Sequence, residues 1–227
     1  MLSVAALTQA IEAAPEVPYP PVAGAPMRAS WAGKCARQIT YMLRDEPADR
    51  PVAARAQFAF AVGHAVHEVV QAALQRLHPE GVAEAEGVLG DAGDGRPLVG
   101  CHADYAYGRV VVEIKSMQTY AFRQDVRQEH ILQAGLCGLA LGAAFVELVY
   151  VDKARGDIAV TRLGTDLWQD AARAELARFE RLWALHRAGE LGDPIDQDRK
   201  VWQCRFCAFA RPCQPPRLFA IDGDAPF

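Results

Sequence analysis

Two carboxylates and a lysine on a single predicted hairpin constrain this 227-residue chain more than any other feature. The segment "GCHADYAYGRVVVEIKS", Gly100 to Ser116, reads as two strands joined at Gly108-Arg109. Glycine at the first central position of a two-residue loop favours a type II′ turn, whose twist matches that of the flanking strands. With that loop, Tyr107 pairs with Val110, and counting outward sets Asp104 opposite Glu113. Opposed residues of an antiparallel pair share a face, with Cβ atoms about 4.5–5.5 Å apart. Lys115 points to that face, and Ile114 points the other way, into the core.

Two carboxylates forced together repel, and strand positions flanked by Val and Ile do not tolerate them idly. A divalent cation or a shared proton resolves the conflict. A nearby ammonium can position or activate a water. Two carboxylates and a lysine around a hard cation are the minimal equipment for metal-assisted phosphodiester hydrolysis. The plainer alternative is a surface hairpin carrying a Glu–Lys pair. Two features weigh toward a site: the Asp at the paired position, and the scarcity of lysine. The chain has four lysines (Lys34, Lys115, Lys153 and Lys200) against twenty arginines.

The remaining pattern predicts one α/β domain. Residues 1–27, with five prolines between Pro15 and Pro26, read as an arm or linker. A helix is expected from Ser30 to about Arg44, with Ser30 as a possible N-cap, and a long one over 54–78, ended by Pro79 and Gly81. Strands follow at 82–89, 97–107 and 109–115. Residues 119–142 return to helix, and "ILQAGLCGLALG" is apolar nearly all round, as in a helix packed on a sheet. Strands "AFVELVYV" and "IAVTRL" and an amphipathic helix over 166–189 complete the order ααβββαββα, which fits a mixed sheet flanked by helices. The formal charge of −4 argues against a broadly basic nucleic-acid binder but leaves room for a local basic groove. No 18-residue apolar run is present, and the N-terminus lacks the basic start of a signal peptide, so the expectation is a cytoplasmic protein without a membrane span.

On these residues the chain resembles the PD-(D/E)XK nucleases, whose signature is an Asp followed by Glu-x-Lys on the next strand. Gly63-His64-Ala65-Val66-His67-Glu68 is similar to the G-x-x-x-H-E helix motif of the RecB-type branch. Gln133 fits the first position of that branch's Q-x-x-x-Y motif, with Cys137 standing where the Tyr would be. The resemblance implies a restriction-endonuclease-like core. It implies Mg²⁺ or Mn²⁺ held by His67, Asp104, Glu113 and the main-chain carbonyl of Ile114. Lys115 would orient or activate the attacking water, and Gln133 would support the site. His64, about 60° from His67 around a helix, competes for the histidine role. His102, two residues before Asp104, would share its face.

"WQCRFCAFARPC" places Cys204, Cys207 and Cys213 at C-x₂-C-x₅-C spacing. A tetrahedral site needs a fourth ligand, and Cys35 is the best candidate. Cys101 and Cys137 read as small buried hydrophobes. Structural zinc sites usually pair two C-x₂₋₄-C knuckles. One knuckle, a lone cysteine six residues on and another far upstream suit an iron–sulfur cluster better, with zinc as the runner-up. Cys35 followed by Arg37 is similar to the C-x-R segment of iron–sulfur RecB-type nucleases, which include the CRISPR-associated exonucleases and the AddB nuclease domain. That likeness implies a [4Fe–4S] staple tying residues 28–45 to 200–216 within a nuclease domain over 28–216, followed by a tail over 217–227. Arg205, Arg211 and Arg217 surround the triplet, either flanking nucleic acid or simply solvated.

The expected function is a metal-dependent exonuclease on single-stranded DNA or DNA ends, in CRISPR adaptation, repair or phage DNA processing. Its possible partners are a helicase or CRISPR adaptation proteins. The alternatives are a non-catalytic nucleic-acid-binding adaptor that keeps fold and cluster, and a zinc-stabilised protein whose carboxylate hairpin is incidental.

Overall fold

A computed structural model of the chain describes residues 3, 21–49, 54–118, 126–195, 203–204 and 207–213. The expected arm up to residue 20 (Ser3 apart), residues 119–125 of the expected helix, Arg205, Arg217 and the tail over 217–227 lie outside them. The chain divides into two compact units, Met1–Gly33 with Ala54–Glu180, and Lys34–Ala53 with Arg181–Phe227.

The first unit is built on a six-stranded mixed sheet. Its strands are β1 (Met27–Arg28), β2 (Val82–Leu89), β3 (Val99–Tyr107), β4 (Val110–Met117), β5 (Phe145–Asp152) and β6 (Ile158–Leu163). They run in the order β1-β3-β4-β5-β6, with β2 also paired to β3. Pairs β2–β3, β3–β4 and β5–β6 are antiparallel, and β1–β3 and β4–β5 are parallel. The parallel β4–β5 step needs a crossover, which contains α3 (Gln128–Ala140). The end of the expected arm is part of this core: Val22, Ala25 and Met27 are buried, and Met27 pairs with Val99.

Alternation along β4 decides which face each side chain meets. Val112 and Ile114 pack with Tyr105, Val149 and Val151 under Val66, Val70 and Leu74 of α2 (Ala54–Leu77). Met117 joins Leu148 and Tyr150 against Ala134 of α3 and Trp168 and Ala172 of α4 (Thr165–Arg187). Helices therefore cover both faces, and Glu113 and Lys115 fall on the face toward α3. The small residues of α3 permit that contact. A Cβ on Gly138 would stand 3.0 Å from Val146 and 3.1 Å from the Trp168 ring.

The second unit joins two distant chain segments. Its elements are α1 (Ala36–Leu43), the last residues of α4 and the short α5 (Ala210–Cys213). Ile39, Tyr41, Leu182, Phe209 and Ala210 are its buried apolar residues. Main-chain hydrogen bonds tie the segments: Arg37 N–H to the Asp193 carbonyl at 3.2 Å and Asp49 N–H to the Ala208 carbonyl at 2.8 Å. The helix expected from Ser30 starts later. Ser30 lies in a 3₁₀ turn (Ala29–Trp31), Gly33 takes φ 72°, and α1 begins after Cys35. A left-handed residue at 33 interrupts the helical path, and glycine accepts it without steric cost. No helix among the described residues is long and apolar enough to cross a membrane.

Candidate active site

The β3–β4 hairpin forms with the expected register: Tyr107 pairs with Val110, Ala106 with Val111 and Tyr105 with Val112. Gly108 takes φ 51°, the left-handed value that a type II′ turn places first. The strand ladder ends at Tyr105–Val112, one pair short of Asp104 and Glu113. There a side chain replaces the rung: the Ile114 N–H donates to Asp104 Oδ2 at 2.5 Å. The other Asp104 oxygen, Oδ1, stands 3.3 Å from His67 Nδ1 on α2.

Glu113 is fully buried, and Lys115 Nζ donates to its Oε1 at 2.5 Å and to Gln133 Oε1 at 3.1 Å. Glu113 Oε2 is buried without a hydrogen-bond partner among the described residues. Burial, then the Asp104 charge, raise the Glu113 carboxyl to about 7, against the opposing pull of Lys115 and His67. Burial acts to lower the Lys115 ammonium, but Glu113 and Asp104 outweigh it and the net direction is up. His67 follows the same logic: burial lowers it, and the hydrogen bond and charge of Asp104 raise it further.

The expected residues thus form two sets of short contacts, adjoining along the chain at Glu113-Ile114. His67 meets Asp104, Asp104 meets Ile114, and Lys115 meets Glu113 and Gln133. His67, Asp104 and Gln133 line one open cavity of about 260 Å³, together with His64 and His102. Two neighbours escaped the sequence reading. Gln71 Nε2 donates to the Asp104 main-chain carbonyl at 2.9 Å and to Glu84 Oε1 at 2.6 Å. Glu84, on the same cavity, has φ 51° between the β2–β3 pairs Ala83–Tyr105 and Ala85–Ala103. Gln71 lies four residues after His67, on the same face of a helix, and that spacing was the available signal. Nothing in the sequence marks the strained backbone of Glu84.

The orphaned Glu113 oxygen, the close Asp104 carboxylate and the imidazole are hard or borderline donors that fit a divalent cation. In the present arrangement both Asp104 oxygens and one Glu113 oxygen are already engaged by protein donors. Consistent with that, no three His, Cys, Asp or Glu side chains among the described residues stand ready to hold a metal ion.

In the second unit, Cys35, Cys204, Cys207 and Cys213 line one small cavity of about 20 Å³, walled also by Tyr41 and Ile195. Cys35 is the residue before α1, and its Sγ accepts the Ile195 N–H at 3.3 Å rather than capping the helix. Cys207 Sγ accepts the Phe209 N–H at 3.5 Å. Burial, then neighbouring thiols, raise Cys204; burial leads the rise of Cys207 and Cys213 as well. Four thiols, with no carboxylate or imidazole among the described lining residues, are a donor set that suits zinc or an iron–sulfur cluster. Cys101 and Cys137 are buried in the first unit, as expected of small hydrophobes, and Cys137 Sγ points to the His102 carbonyl at 3.6 Å.

No family model and no curated protein matches the sequence. Among solved structures, SSO0001 superposes with a TM-score of 0.58 at 17% identity, covering 81% of this chain and 83% of the other. The alkaline exonuclease LHK-Exo from Laribacter hongkongensis gives a TM-score of 0.46 at 16% identity, over 72% of this chain and 92% of the other. Its complex with dAMP gives 0.42 at 17% identity. The chain is therefore a mixed α/β protein, a central mixed sheet flanked by helices, that shares its fold with SSO0001.

Proposed function

We propose that the chain is a divalent-metal-dependent deoxyribonuclease of the RecB-like PD-(D/E)XK type, acting as an exonuclease on single strands or DNA ends. One observation carries the reading: a fully buried glutamate, held on one oxygen by a lysine and orphaned on the other, beside a second carboxylate. A structural ion pair has no use for the orphaned oxygen, which costs desolvation energy. A metal site does.

Asp104, Glu113 and His67 would hold Mg²⁺ or Mn²⁺. The Ile114 carbonyl is a further donor, because N–H and C=O of one strand residue point to the same side and its N–H already faces Asp104. The bound cation would supply charge for the scissile phosphate and acidify water. The chain's own residues do the rest. Lys115, fixed between Glu113 and Gln133, directs its remaining N–H toward water or phosphate oxygen. Gln133 holds that ammonium in place, and the Ile114 amide fixes the Asp104 carboxylate against rotation. The four cysteines would hold a [4Fe–4S] cluster, with zinc as the rival. Their irregular spacing supports iron–sulfur, and either metal would require the four thiols that line the small cavity to draw together.

The test compares wild type with Glu113→Gln on end-labelled single- and double-stranded DNA with Mn²⁺. Wild-type degradation from the ends, lowered by at least about a hundred-fold in the variant, is the expected result. Equal cleavage by both proteins, or none by either, refutes the reading.

A further inference from the structure

Lys115 also lines a second open cavity, of about 240 Å³. Arg127, Lys153, Ser116 and His130 share that lining, and among the described residues no carboxylate does. The Lys115 charge is already met by Glu113, whereas Arg127 and Lys153 enter no ion pair among the described residues. Both are only partly exposed. Two uncompensated cations on one hollow repel each other, and an anion is what relieves them.

The neutral groups suit the same ligand. The Tyr150 hydroxyl accepts the Arg127 main-chain N–H and lies 3.0 Å from His130 Nδ1. The hydroxyl can give its proton to Nδ1, an arrangement that leaves the ring's own proton on Nε2 as a donor. Burial, then Lys115 and Arg127, push the imidazolium down to about 3, so His130 stays neutral beside the cations. A guanidinium, an ammonium, a hydroxyl and an imidazole N–H are the donor types that bind phosphate oxygens. The position is informative too, since Lys115 connects this cavity to Glu113 and to Gln133 on the wall of the carboxylate cavity.

We infer that this second cavity is a phosphate subsite, in which Arg127 and Lys153 hold a phosphate of the strand whose scissile phosphate meets Asp104 and Glu113. The identity of the strand rests on the proposed nuclease function; the anion site itself does not. The phosphate is either a terminal group or the next one along the backbone.

The full chain is titrated without divalent cation into labelled single-stranded oligonucleotides bearing a 5′-phosphate or a 5′-hydroxyl, at several salt concentrations. Wild type is compared with Arg127→Gln, Lys153→Gln and Arg155→Gln, each checked for an unchanged melting temperature. Arg155 is exposed, lies two residues from Lys153 and does not line the cavity, so it controls for net charge. Arg127→Gln and Lys153→Gln are each expected to weaken binding about ten-fold and to flatten the salt slope by about 0.7. Arg155→Gln should change affinity by less than about two-fold. Losses confined to the phosphorylated strand assign a terminal phosphate, and equal losses on both strands assign an internal one. Losses from Arg155→Gln as large as from Lys153→Gln, or none from either cavity variant, overturn the inference. Cleavage by wild type with no binding loss in these variants removes the subsite and leaves the nuclease. The expected losses with Mn²⁺-independent inertness remove the nuclease and leave the subsite.

Discussion

Lys115 Nζ stands 2.5 Å from Glu113 Oε1, while Glu113 Oε2, in the same buried carboxylate, has no partner among the described residues. The ammonium therefore stabilises only half of a charge that burial disfavours. A cation on the free oxygen, or a proton, would complete it.

The metal-free protein should lose stability as pH rises from about 5 to 8. Glu113 is raised from 4.5 to about 7, so between those values the unfolded chain ionises first and gains. His67 is also raised, and its contribution is present below its unfolded value of 6.5 and fades as pH climbs through the folded one. Lys115 is raised as well, and its contribution fades only at more alkaline pH. Denaturant midpoints across this range should fall by an amount worth a few kcal/mol, and Mn²⁺ should flatten the trend. A stability that climbs from pH 5 to 8 without metal would remove this account of Glu113.

Lys115→Met deletes the ammonium and keeps much of the stem. The Glu113 carboxylate then sits buried with neither oxygen paired, so its proton should be held more tightly. Cleavage with Mn²⁺ should fall by about a hundred-fold or more at neutral pH, and its pH profile should move to the alkaline side. An unshifted profile with near-normal rates would show that Lys115 neither tunes Glu113 nor acts on water.

Gln71→Ala removes the donor shared by the Asp104 carbonyl and Glu84. Chemical denaturation should register a loss of about 1–2 kcal/mol, the cost of leaving partly buried acceptors unmet. Gln71→Glu should be worse, since it sets a carboxylate against Glu84 Oε1 and a carbonyl. Equal stability of wild type and both variants would deny Gln71 its part in fixing Asp104.

Cys35→Ala and Cys204→Ala test the second unit. Each should lower the content of iron or zinc in the purified protein and its melting temperature together, because a site closed by distant segments acts as a cross-link on folding. Visible absorbance separates the metals: a brown wild type is iron–sulfur, a colourless metal-bearing one is zinc. A metal-free protein as stable as wild type would end the idea of a metal staple.

The sequence by itself determined the elements with strong periodicity. The long helix expected at 54–78 is Ala54–Leu77, and the strand expected at 82–89 is Val82–Leu89. The hairpin turned where Gly108 allowed, because turn chemistry and alternation are local properties that survive without the rest of the fold. Local order also located Asp104, Glu113 and Lys115 within reach of one another. What it misjudged is instructive: Ser30 looked like a helix cap, and only the left-handed Gly33 shows why α1 waits until Ala36.

Tertiary structure decided the rest. The Asp104–Glu113 rung was expected to be an ordinary strand pair, yet Asp104 meets the Ile114 amide with its side chain and its own carbonyl turns to Gln71. That exchange depends on α2 lying over the sheet and on Glu84 adopting φ 51°, neither of which is written in the residues near Asp104. The convergence of Cys35 with Cys204, Cys207 and Cys213 and the joining of Arg127 to Lys153 in one hollow are likewise long-range. Sequence pattern reports the face on which a side chain falls. Only packing reports what stands opposite it, because that is settled by groups tens or hundreds of residues away.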